Sequence, residues 1–134
     1  MAEHIHRVCA AILRGDSILM VQIDYGERTV WTLPGGESES GETPEQTVVR
    51  EVAEEACVQA RAGRHLYTTV TSNERYVVTE RCYLCEIDAD QVPAPGHNPG
   101  FETQRFIDAT WIPLAHLVND MQVSQVLAAL QGAS

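Results

Sequence analysis

Residues 36–58 read GESESGETPEQTVVREVAEEACV and specify a helix whose two faces need different surroundings. Thr43 suits the N-cap, Pro44 the first helical position, and Gln46 completes a capping box. No glycine or further proline interrupts residues 45–56. At ~100° per residue, Val48, Val49, Val52, Ala53 and Ala56 form one apolar stripe. Glu51, Glu54 and Glu55 fall on another sector, roughly 140° away. The stripe must lie on a core while the carboxylates look outward. Three carboxylates at helical spacing repel one another. A cation therefore belongs among them, and a hard divalent metal suits oxygen ligands. Arg50 lies between the sectors, four residues before Glu54, where it can pair with that carboxylate and orient it.

Taken alone, three glutamates describe a solvated acidic face. What precedes them narrows the choice. A strand-like Thr-Val-Trp-Thr at residues 29–32 runs into Leu33-Pro34-Gly35-Gly36. Consecutive glycines permit positive φ and let a ligand approach the main chain. Gly35 and Gly36 are therefore candidate substrate contacts. Strand, Gly-Gly turn, loop and capped helix with paired carboxylates are a joint pattern that a plain acidic surface does not require.

In this order the chain resembles the Nudix hydrolase family, the MutT-like pyrophosphohydrolases, whose signature is G-x5-E-x7-R-E-U-x-E-E-x-G-U with U bulky and aliphatic. Gly36 opens it, Glu42 follows, and Arg50-Glu51, Val52, Glu54-Glu55 and Val58 complete it. Cys57 departs from it, standing where the family has glycine. A left-handed Cys there costs about 1–2 kcal/mol unless the backbone adjusts. The resemblance implies an α+β fold, an α/β/α sandwich with a mixed, curved sheet flanked by helices, as one domain over residues 1–134. It implies hydrolysis of a nucleoside diphosphate linked to another moiety, by water attack at phosphorus. Its metal is Mg²⁺ or Mn²⁺, held by Glu51, Glu54, Glu55 and the Gly36 carbonyl.

The general base has two candidates. In some relatives it is the position of Glu51. In others it is a loop acid outside the signature, for which Glu102 stands ready as base or further metal ligand, with Asp108 second. Arg50 and Glu54 complete the catalytic set, and Glu42 is a metal-shell or salt-bridge partner for Arg50. Tyr76 is a candidate substrate contact, since relatives acting on dinucleoside polyphosphates often carry a tyrosine near there. Tyr25, Trp31, Tyr67, Tyr76 and Phe101 are candidates to stack on a base. A small nucleotide, a (d)NTP or an NDP-sugar, is the expected substrate. A nucleotide sensor of the same fold that binds without turnover is the second class. Dimers are common among similar proteins.

Composition sets the outer limits. At 134 residues and 44% hydrophobic, the chain can bury a single core. No apolar run reaches ~18 residues, and the start is too short and too quickly interrupted for a signal peptide. No membrane partner and a cytoplasmic location are the default expectations. A net charge of −10 argues against a nucleic-acid surface. All nine basic residues counted as Lys or Arg are Arg, the better bidentate partner for phosphate. Cys82 and Cys85 are spaced as a zinc pair. A strand would point them to opposite faces, so buried thiols are expected.

Elsewhere, residues 8–13 and 18–23 read as a hairpin around Arg14-Gly15-Asp16-Ser17. Residues 64–71 and 76–87 form a second strand pair. Residues 88–100 read as an irregular loop, rich in proline and glycine. Residues 102–111 read as a strand broken at Asp108-Ala109. Short helices follow at 113–117 and 122–130.

Overall fold

A computed structural model describes residues 2–97 and 104–132. The hairpin is β1 (Glu3–Arg14) and β2 (Ser17–Asp24), paired antiparallel at Leu13 and Ile18. β3 (Thr29–Thr32) extends it, and β4 (Gly35–Glu37) returns along β1. Helix α1 (Pro44–Ala56) follows. β5 (Arg61–Ser72) and β6 (Tyr76–Glu86) form the second pair, and β7 (Arg105–Pro113) joins β2. A short 3₁₀ turn at Leu114–His116 leads into α2 (Met121–Gln131). The sheet runs β3-β2-β1-β6-β5, with β4 on β1 and β7 on β2. It is mixed because β1 and β6 are parallel.

β1 explains the layering. Val8, Ala10 and Ile12 pack with Val48, Val52 and Ala56 of α1. Cys9 and Ala11, on the alternate positions, pack with Val123 and Val126 of α2. A strand buried on both faces reads as an unbroken apolar run, which is what residues 8–12 are. One helix on each face makes the α/β/α sandwich. Cys82 joins the α2 side and Cys85 the α1 side, as their three-residue offset predicts. Among the described residues no helix is long and apolar enough to cross a membrane.

Helix α1 begins as its sequence dictates. Thr43 Oγ1 accepts from Gln46 N at 3.1 Å, and Gln46 Oε1 accepts from Thr43 N at 2.9 Å. It ends at Cys57, which holds a left-handed conformation (φ 58°, ψ 34°). The cysteine bears the strain of that conformation. The helix's last carbonyls are satisfied from a distance. Ala94, Gly96 and His97 donate their N–H groups to Ala56, Glu55 and Glu54 carbonyls at 3.0, 3.0 and 2.8 Å. The irregular loop therefore serves as the helix's C-terminal cap.

Three expectations need correction. Gly35 and Gly36 are not a positive-φ turn but strand β4; positive φ occurs at Gly15, Gly26 and Gly41 instead. Pairing to β1 keeps them extended. The last strand is not broken at Asp108-Ala109. It runs through to Pro113, and its irregularity is a register shift opposite Gln22 and Ile23. The carboxylates of α1 do not all look outward: Glu51 and Glu55 are 5% and 3% exposed. β4 covers that sector of the helix, and a helical wheel shows an angle but not the neighbour.

Candidate active site

The site lies where β4 is pressed between β1 and α1. A side chain on Gly35 would collide with the Val8 carbonyl, and one on Gly36 would meet the Glu51 carboxylate at 2.5 Å. Glycine is needed for space at position 35, where the obstacle is backbone, and at position 36 a side chain would displace the Glu51 carboxylate. With no side chains between them, main chain and carboxylates touch directly: Gly35 N donates to Glu55 Oε1 at 3.0 Å. Glu51 Oε2 is buried with no hydrogen-bond partner.

Arg50 organises the other acids. Its Nε and Nη2 donate to the two Glu42 oxygens at 2.7 and 2.9 Å, a bidentate pair. Nη1 donates to Glu51 Oε1 at 2.9 Å and lies 3.3 Å from Glu54 Oε2. Nη2 also reaches the Glu37 carbonyl at 3.1 Å. Glu42 in turn receives Glu39 N at 2.8 Å, and Thr47 Oγ1 lies 3.1 Å away. One guanidinium thus ties the helix to the loop at residues 37–42.

Burial and charge divide these acids. The Arg50 guanidinium holds the Glu42 carboxyl down at about 2. Burial pushes Glu55 up to about 9, opposed by the Gly35 N–H and reinforced by the Glu51 carboxylate. Glu51 is also raised, again by burial, against the pull of Arg50. Two desolvated carboxylates side by side are costly unless a proton or a cation joins them.

The carboxylates open into a cleft of about 720 Å³. Its other end has apolar walls from Ile23, Val30, Leu33 and Phe106, with Tyr25 beside them. Gln122 opens α2 at that end, its Oε1 accepting from Thr32 Oγ1 at 3.0 Å and Leu33 N at 3.1 Å.

The structure brings Gly35, Gly36, Arg50, Glu51, Glu54 and Glu55 to this one cleft. Tyr76 is not among the residues lining it; it opens β6 opposite Glu3. Asp108 pairs with Gln22 on β7 and does not line it either. Of the stacking candidates, Tyr25 lines the cleft. Tyr67 and Trp31 pack against the α2-side core. Glu102 and Phe101 lie outside the described residues. Arg7, Phe106 and Gln122 were not legible beforehand, because only pairing between distant strands and α2 carries them to the cleft.

A fit to a divalent cation is written in the donors. They are hard oxygens, one of them buried and unpartnered, beside the main chain of Gly36. In the present side-chain arrangement no three acidic, His or Cys groups of the described residues stand at coordination spacing. Arg50 Nη1 lies against Glu51 and Glu54.

Fold and site together define an α/β/α sandwich with a Gly-Gly strand laid on a carboxylate-bearing helix. The NUDIX domain model matches residues 3–129, and the chain belongs to the Nudix family. It is 33% identical over 103 residues to the MutT4 protein of Mycobacterium tuberculosis (strain CDC 1551 / Oshkosh), covering 74% of this chain and 39% of that protein. It is 44% identical over 59 residues to the NAD-capped RNA hydrolase NudC of Pectobacterium carotovorum, covering 44% of this chain and 23% of that one. The chain therefore spans less than half the length of these curated relatives. A NUDIX hydrolase structure from Nitrosomonas europaea shares the fold, with a TM-score of 0.76 at 18% identity, covering 97% of this chain and 90% of that one.

Proposed function

We propose that this chain is a pyrophosphohydrolase. It cleaves a nucleoside diphosphate linked to another moiety, a (d)NTP or an NDP-sugar, by water attack at phosphorus. The observation that carries this is the pair of buried carboxylates, Glu51 and Glu55, held against the side-chain-free strand at Gly35-Gly36. Glu51, Glu54, Glu55 and the Gly36 carbonyl would hold Mg²⁺ or Mn²⁺. A divalent cation bound there neutralises phosphate oxygens, polarises phosphorus and makes water more acidic. Membership of the Nudix family and the hydrolase name of NudC support the same reading.

The chain's own residues supply the rest. Gly35 and Gly36 let the main chain lie directly against the Glu51 and Glu55 carboxylates and so hold them at the cleft. Arg50 fixes Glu51 and Glu54 on one side while neutralising Glu42 on the other. The general base is Glu51 or, from outside the described residues, Glu102. The apolar end of the cleft accepts the nucleoside.

A panel of nucleotides with Mg²⁺ or Mn²⁺, products identified by mass, tests this. Turnover is expected, collapsing in Glu54→Gln and Glu55→Gln. Saturable binding with no product from any diphosphate, in folded protein, would make it a sensor instead.

A further inference from the structure

The cleft does not end at the carboxylates. A second groove of about 480 Å³ adjoins it, and Arg7, Val8, Glu37, Ser38 and Glu39 line both. These residues sit where β1 and β4 pair, Arg7 opposite Glu37 and Val8 opposite Gly36. Moving back along β1, the next groove residues are His6 and then His4. Arg81 of β6, in register with Val8, joins them. The order along the molecule is therefore apolar end, carboxylates, then a groove bearing two arginines and two histidines.

Arg81 is the informative residue. The chain carries nineteen acids against nine arginines, so partners are plentiful. Yet the Arg81 side chain, half-buried, makes no hydrogen bond or ion pair with any described residue. Its charge bears on the Tyr83 hydroxyl, two residues along β6. Two of the groove's acids are already taken, since Glu39 and Glu42 lie 3.5 and 2.7 Å from Arg50. Glu37 remains, at the junction with the cleft. A free guanidinium presents a planar fork of donors suited to phosphate. His4, His6 and the Ser40 hydroxyl add donors around it.

We propose that this groove receives an anionic group of the substrate lying beyond the cleaved diphosphate, such as a third phosphate or a longer polyphosphate end. This rests on the hydrolase reading above. Between the two substrate types named there, it favours the triphosphate over an uncharged sugar.

The test compares a nucleoside 5′-diphosphate with the 5′-triphosphate of the same base. Wild-type protein should favour the triphosphate in kcat/KM by about tenfold, the equivalent of one charge-assisted contact. Arg81→Gln should erase most of that preference through KM, and Arg81→Lys should recover part of it. Arg64→Gln, an exposed β5 position outside both cavities, should keep it. No preference in the wild type, or equal loss in Arg81→Gln and Arg64→Gln, overturns the proposal. Should no nucleotide be turned over, the hydrolase reading fails by itself, and thermal shifts with inorganic tripolyphosphate and pyrophosphate decide. A larger shift with tripolyphosphate that vanishes in Arg81→Gln sustains the groove, and equal shifts refute it.

Discussion

Arg50 shows how much one residue can organise. It touches Glu42, Glu51, Glu54 and the Glu37 carbonyl, yet its contacts are all to protein groups that hold or shape the site. Arg50→Ala is therefore expected to lower kcat by roughly 10–100-fold with little change in KM, as for groups that orient ligands. A rise in KM alone, with kcat intact, would contradict a positioning role. The pairing of Arg50 with Glu54 was legible from their four-residue spacing. The stronger contact to Glu42 came with the signature. The contact to the Glu37 carbonyl depends on β4, which no local pattern announces.

At the level of elements, α1 is specified at its start and completed from outside at its end. Thr43, Pro44 and Gln46 form a cap readable from the chain alone. The C-terminal end relies on residues 94–97, some forty positions away in sequence. Gly96 allows that contact, because a side chain there would run into the Glu54 carbonyl. Gly96→Ala should displace the loop and weaken these bonds, destabilising the fold by about 1–3 kcal/mol in urea titration. Activity should fall as well, since Glu54 and Glu55 belong to the uncapped turn. A loss of stability below about 0.5 kcal/mol would mean the loop is not anchoring the helix.

Across the whole molecule, the buried acids tie stability to pH. Glu55 holds its proton up to about 9 in the fold, against 4.5 ordinarily. A carboxyl raised on folding contributes stability below its unfolded value and loses it as pH rises through the folded one. Cation-free protein should therefore melt at progressively lower temperature from about pH 5 to pH 9, and Mg²⁺ should offset the loss. In Glu55→Gln that slope should flatten; identical profiles for the two proteins would refute the assignment. By itself the sequence determined the capped helix, the carboxylate trio, the first hairpin and the facing of Cys82 and Cys85. Each is governed by contacts within a few residues or by a strand's two-residue period. Only the tertiary structure decided that β4 lies extended on β1, that Glu51 and Glu55 are buried, and that Arg7 and Arg81 border one groove. Those outcomes depend on which strands pair in parallel or return antiparallel, and long-range pairing leaves no periodic trace in the segments it joins.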